Sequence, residues 1–246
     1  MARIRQKHRT MAYPAGEPVL PELFRGYPAL DEGKCRSGCS DCVSVCPTGA
    51  LTNHNGLALD MGKCLFCPEC IRTCPAGAIS FSRDEKLAAC EREDLVVRKG
   101  EERRLAHAMT RELVSLLGRS LKLREVSAGG CNACEADTNV LATVSFDLGR
   151  FGIQFVASPR HADGMYVTGP VSENMRIALL KTWEAIPGPK IVIAAGACAI
   201  DGGPFHGLPE VHNGVDKFLP VDLYIPGCPP HPLTILDGVL RLLGRV

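Results

Sequence analysis

The chain of 246 residues has no uninterrupted apolar run long enough to span a bilayer, which excludes a transmembrane helix. It has no excess of either charge. Lys and Arg number 28 against 27 Asp and Glu, a net charge of +1. A bulk field that would gather nucleic acid or a membrane surface is therefore missing, and no nucleic-acid partner is expected. The basic N-terminus, MARIRQKHRT, is not followed by the apolar stretch of a secretory leader. An even disulfide framework is missing too. The cysteines number 13, and that odd count with C-x-x-C spacings points to metal binding in a reducing compartment. A hydrophobic share of 46% supplies enough apolar surface for a core. The length allows one large domain or two small ones.

What is present is an internal repeat of cysteines. Cys35, Cys39, Cys42 and Cys46 lie in CRSGCSDCVSVCPTGAL, and Cys64, Cys67, Cys70 and Cys74 in CLFCPECIRTCPAGAI. Each run closes in Cys-Pro, a small residue, Gly-Ala and an aliphatic. Three close thiols wrap one side of an iron–sulfur cluster and a distant fourth completes it. In two-cluster ferredoxins the fourth cysteine of each run serves the other cluster. This assigns Cys35, Cys39, Cys42 and Cys74 to one [4Fe–4S] cluster, and Cys64, Cys67, Cys70 and Cys46 to a second. Pro47 and Pro75 stiffen the exit from each run. The first run departs from the pattern by one extra residue between Cys35 and Cys39, a bulge that alters the cluster's potential or removes a ligand. Zinc also takes four cysteines, and a zinc-binding scaffold is the alternative from another class. Zinc sites rarely show two such runs, each ending in Cys-Pro.

Around this repeat the chain divides into four stretches. Residues 1–33 are rich in proline and read as an extended arm; Val19, Leu20, Leu23 and Phe24 suggest that it docks on a partner. Residues 34–83 form a small α+β two-cluster domain in which inorganic clusters stand in for a core. Residues 84–120 are charged and helix-favouring, with Leu105, Met109, Leu113, Leu116 and Leu117 at helical spacing and Gly118 as C-cap, so a linker helix is expected. Residues 121–246 alternate strand-like runs (LKLREV, IQFVA, MYVTG, KIVIAAG, VDLYIPG) with helical patterns near 135–147, 172–186 and 231–243. The alternation predicts an α/β domain with a parallel, flavodoxin-like sheet and helices on both faces. The cysteine-rich half resembles bacterial-type two-cluster ferredoxins. With its leader LPELFRGYPALDEGKC, it is similar to the ferredoxin-like subunit of respiratory complex I and of membrane-bound hydrogenases.

Ligands of such sheets sit beyond the carboxyl ends of the strands. There the chain places Cys131 and Cys134 in SAGGCNACEAD, Cys198 in AAGACAIDGGPF and Cys228 in YIPGCPPHP. Four thiolates at one sheet edge suit a third [4Fe–4S] cluster, and the glycines beside them let the backbone approach it. Plain burial of Cys198 and Cys228 is the simpler reading, but the flanking Gly and Pro favour ligands. Cys90 stands apart and reads as a structural thiol. His206, His212 and His231 are isolated and read as surface or outer-shell residues.

The blocks CNACE, SPRHADGMYVTGPVSENM, AAGACAIDGGPF and PVDLYIPGCPPHP are similar to the small subunit of energy-converting [NiFe] hydrogenases and to its complex I homologue. The form Cys131-Asn-Ala-Cys134-Glu135 is that of the hydrogenases, since the complex I subunits carry two adjacent cysteines here. The resemblance implies a proximal cluster facing the Ni–Fe centre of a separate large subunit, with Glu135 at that interface as a proton relay. A helix N-terminal carboxylate interacting with the macrodipole accounts for Glu135 equally well. It also implies that Arg160, with His161 and Asp163, lies near this cluster, where its charge favours the reduced form. An Arg160–Asp163 ion pair is the alternative. The expected protein is an electron-transfer subunit of an oxidoreductase complex with no substrate site of its own. It would sit on the cytoplasmic face of a membrane, held by a hydrogenase-like large subunit, membrane-arm subunits and electron-input subunits. A complex I-like, quinone-reducing complex without nickel is the alternative within the same class.

Overall fold

A computed structural model describes residues 9–36, 38–54 and 56–246. Most of the basic N-terminal run, residues 1–8, lies outside the described residues, as do Ser37 and Asn55. Residues 9–27 hold no helix or strand, as their prolines require. They run over the chain itself. Met11 N–H donates to Ser145 O (2.8 Å), Arg150 donates to the carbonyls of Met11 and Tyr13, and the Tyr13 hydroxyl donates to buried Asp237 (2.8 Å). Farther on, Arg83 grips the carbonyls of Leu20, Pro21 and Glu22. Leu20 packs on the core and Phe24 lies edge-on to His231, whereas Val19 and Leu23 are exposed.

The cysteine-rich half is built from short pieces: β1 (Pro28–Leu30), α1 (Asp41–Val45), β2 (Leu51–Thr52), β3 (Ala58–Asp60), α2 (Glu69–Thr73), β4 (Ile79–Phe81) and β5 (Val96–Arg98). β1 pairs antiparallel with β4, so the end of the expected arm is a strand. β2, β3 and β5 form a second antiparallel sheet. The repeat is visible in three dimensions. α1 and α2 pack together, each buries its middle cysteine (Cys42, Cys70), and each ends on an extended cysteine (Cys46, Cys74), the conformation that a following proline imposes. Gly49 and Gly77 then turn the chain with matching φ of 62° and 63°.

Of the linker helix expected over 84–120, only the last part forms. Residues 99–110 are irregular, and only α3 (Arg111–Leu117) is α-helical, capped by the Thr110 hydroxyl and closed at Gly118. The segment before it is drawn into pairing that overrides its helix propensity. Ala88 and Ala89 are buried, Ala89 bridges to Tyr224, and the β-branched pair Val96–Val97 enters the sheet against β3.

The remainder is an α/β layer structure: β6 (Leu121–Ser127), α4 (Ala133–Val140), β7 (Ile153–Phe155), β8 (Gly164–Thr168), α5 (Glu173–Ala185), β9 (Ile191–Ala195), α6 (Ala197–Asp201), β10 (Leu223–Ile225) and α7 (Pro232–Leu242). All five strands pair in parallel in the order β10-β9-β8-β6-β7. Counted along the chain this is the 2-1-3-4-5 order of flavodoxin-like sheets. Alternation along the strands sends Met165, Val167, Val192 and Ala194 to one face, with Leu179 of α5 and Ile200 of α6. Tyr166, Ile191, Ile193 and Ala195 go to the other, with Leu233, Leu236 and Val239 of α7. The first cluster is continuous with Leu57, Leu59, Ile79 and Leu95, so the cysteine-rich half shares the core of the sheet. Helix α4 ends at Val140, short of the expected 147. No helix among the described residues is long and apolar enough to cross a membrane.

Candidate functional site

Twelve of the thirteen cysteines gather into three groups. In the first, Cys35, Cys39, Cys42 and Cys74 line one cavity with Leu57, Ala78 and Ile79. Burial, and then the neighbouring Cys74 and Cys35, push the Cys42 thiol up from its ordinary pKa. The extra residue between Cys35 and Cys39 does not remove Cys35 from this group. Asn53 Nδ2 donates to the Cys39 carbonyl (2.8 Å) and reaches the Cys35 sulfur at 4.0 Å.

In the second group, Cys64 is raised to about 12, by burial first and then by Cys70, Cys46 and Cys67 around it. Cys70 is raised to about 11 by burial, Cys67 and Cys46. The structure therefore brings Cys74 to the first run and Cys46 to the second. Matching backbone donors serve these sulfurs: Ala50 N–H to Cys46 Sγ (3.2 Å), Ala78 N–H to Cys74 Sγ (3.3 Å) and Phe66 N–H to Cys64 Sγ (3.2 Å).

The third group sits at the carboxyl edge of the parallel sheet. Cys131 follows β6, Cys134 opens α4, Cys198 lies in α6 and Cys228 follows β10. Burial raises Cys134 strongly, with Cys198 as its largest charged neighbour. Cys198 is raised to about 12 by burial, Cys228 and Cys131. Backbone comes very close here. A Cβ on Gly196 would stand 2.6 Å from Cys134 Sγ, and one on Gly203 2.8 Å from Cys198 Sγ, so only glycine leaves these sulfurs room. Cys131 and Cys228 are exposed, which opens this group to one side of the molecule.

The second group lies within electrostatic reach of both others. Cys42 is among the charges acting on Cys70, and Cys67 is among those acting on Cys228. A groove lined by Leu65, Phe66, Cys228 and His231 runs between the second and third groups. Among the described residues, no three His, Cys, Asp or Glu side chains stand close enough to grip a single metal ion.

The polar residues behave differently from the thiols. Glu135 is turned inward, 7% exposed, and accepts from Thr168 Oγ1 at 2.6 Å. Burial would raise its pKa, but hydrogen bonds from Ser127, Thr168 and its own backbone hold it below the usual carboxylate range. Its neighbour Glu125 is a residue that the sequence does not single out. Burial, and then Glu135, raise Glu125 to about 7, and its Oε1 has no hydrogen-bond partner among the described residues. A lone Glu on a strand gives no sequence signal of this.

Arg160 and His161 are exposed in a short 3-10 turn between β7 and β8. Among the described residues Arg160 makes no ion pair, and Asp163 accepts instead from the Lys122 backbone (2.7 Å). His206 and His212 pair with Asp201 and Glu173. His231 caps α7, with its pKa lowered by burial. Cys90 lies outside all three groups, with its thiol directed at His107 O.

Comparison with known proteins returns one family at this site. The family described as "NADH ubiquinone oxidoreductase, 20 Kd subunit" matches residues 131–242. Formate hydrogenlyase subunit 7 of Escherichia coli is 48% identical over 139 residues, 56% of this chain. The chain spans about half (54%) of that protein's length. The probable membrane-bound hydrogenase subunit mbhJ of Pyrococcus furiosus is 40% identical over 149 residues, covering 61% of this chain and 86% of that one. A subunit of the NADH-quinone oxidoreductase of Bacteroides thetaiotaomicron is 42% identical over 116 residues, 47% of this chain and 59% of that one.

Proposed function

The chain belongs to the family of the NADH ubiquinone oxidoreductase 20 Kd subunit, and on that premise we propose that it is the electron-transfer iron–sulfur subunit of a membrane-associated, hydrogenase-type complex. The observation that carries this reading is the gathering of twelve thiols into three groups of four. A ferredoxin domain over residues 34–83 would hold two [4Fe–4S] clusters through Cys35, Cys39, Cys42 and Cys74, and through Cys64, Cys67, Cys70 and Cys46. Cys131, Cys134, Cys198 and Cys228 would hold the third. The donor set fits such groups: all-thiolate, with glycine where sulfur and backbone nearly touch. Bound clusters of this kind accept and release single electrons.

The chain's own residues prepare the sites. Leu57, Ile79 and Phe66 keep water from the sulfurs, and the N–H groups of Ala50, Ala78 and Phe66 offset negative charge on them. The third group, open at Cys131 and Cys228, faces outward for a catalytic large subunit. The spacing Cys131-Asn-Ala-Cys134-Glu135 favours a nickel-bearing, hydrogenase-type partner over a nickel-free, quinone-reducing one. Other subunits would supply electrons and hold the chain to the cytoplasmic face of the membrane.

The test is iron and acid-labile sulfide content of the anaerobically isolated chain, with EPR after reduction. About twelve iron and twelve sulfide per chain, in three interacting centres, are expected. Cys131→Ser should remove one centre and leave two. Zinc without sulfide would overturn the proposal.

A further inference from the structure

One side chain ties the second thiol group to the third. Arg92 lies on the stretch whose composition favours helix. Its Nη1 and Nη2 donate to Asp60 Oδ1 and Oδ2, both at 2.8 Å. Nη2 also stands 3.7 Å from Asp201 Oδ1. The side chains of Arg92, Asp60 and Asp201 are only 20%, 17% and 20% exposed. Such a two-pronged guanidinium–carboxylate bond fixes direction as well as distance.

The two carboxylates belong to different cradles. Asp60 organises the turn that presents Cys64: its Oδ1 accepts from Gly62 N–H (2.9 Å), and its carbonyl accepts from Cys64 N–H (3.0 Å). Asp201 ends the helix that carries Cys198, and its other oxygen lies 3.0 Å from His206 Nδ1. A Cβ on Gly62 would meet both Arg92 Cζ and Ile200 Cγ2 at 2.8 Å. The turn before Cys64, the guanidinium and α6 are thus in three-way contact with no slack.

The backbone around Arg92 reaches both ways as well. Ala89 exchanges hydrogen bonds with Tyr224, in the strand before Cys228 (3.1 and 2.8 Å). Residues 96–98 pair with β3, in the strand before Cys64. Arg92 stands between these two anchorages.

We propose that Arg92 is a positioning residue that sets the separation of the second and third thiol groups, and with it the rate at which an electron crosses between them. The proposal rests on the relay reading above. Electron tunnelling falls steeply with distance, so small loosening at this joint is felt as rate.

The experiment uses the full chain with its clusters, comparing Arg92→Lys, Arg92→Met and the charge-balanced double variant D60N/R92M. Arg104→Gln, at an exposed pair on the same stretch, serves as control. Readouts are iron and sulfide content, the spin–spin interaction between the second and third centres in EPR, and the intramolecular electron-transfer rate after flash reduction. Full iron content is expected in Arg92→Lys, which keeps charge and bulk. Its spin interaction should weaken, and its transfer rate should fall severalfold. The double variant should show the same losses, and Arg104→Gln none. Native spin interaction and rate in all three Arg92 variants, with clusters intact, would overturn this proposal and leave the relay reading standing. Absence of clusters from the native chain would overturn the relay reading itself.

Discussion

The two halves of the chain hold thiols by opposite means. In the sheet half every residue of β8 and β9 is buried, and the third group perches on the edge of a core that exists without it. In the cysteine-rich half the strands are two or three residues long, the helices five, and the apolar residues lean on the face of the sheet. The first kind of site is a load on a finished scaffold. The second is part of the scaffold, since elements so short cannot fold on their own hydrogen bonds.

Removing the iron of the proposed clusters would test this contrast most severely. Anaerobic chelation should expose the amides of residues 34–83 to fast hydrogen exchange and leave β8 and β9 protected. Equal loss of protection in both halves would erase the distinction. A smaller effect runs the other way. Ile193 is fully buried in β9, and Ile193→Ala should cost about 2–5 kcal/mol in denaturant titrations. The two centres of the cysteine-rich half should still give their EPR signals under native conditions.

The smallest expected effect concerns the strain that the sheet half carries. Glu125 has its pKa raised from 4.5 to about 7, so between those values the native chain keeps a proton that the unfolded chain has lost. Its contribution is fully favourable below about pH 4.5 and is lost as the pH climbs to 7. Glu125→Gln should flatten that decline and stabilise the chain at pH 8, on the order of 1–3 kcal/mol. An unchanged pH profile would mean that Glu125 is well solvated.

The sheet half was legible in the sequence because its signals are local. Each strand is an apolar run, each cysteine follows one, and parallel order follows from alternation with helices. The stretch around Arg92 was illegible for the opposite reason. KLAACERED favours helix by composition, and only tertiary partners (Tyr224, Asp60, Asp201) reveal why Ala89 lies extended and why Arg92 opens a short 3-10 turn between two sheets. The arm shows the same limit. Its prolines announce an extended chain, but nothing in them announces Arg83 and Arg150 as its docking points. Glu135 marks a third kind of gap, in that its position near Cys134 was readable and its inward rotamer onto Thr168 was not.

The exchange of Cys46 and Cys74 between the first two groups bears on how the protein is made. A ribosome delivers residue 46 well before residue 74, so three thiols of the first cage wait unfinished while the second is still being synthesised. On the proposed cluster assignment, neither cage can be filled and sealed in isolation. Loading would be a single commitment taken after the whole repeat has emerged, and a chain truncated between the two runs would leave both proposed sites open.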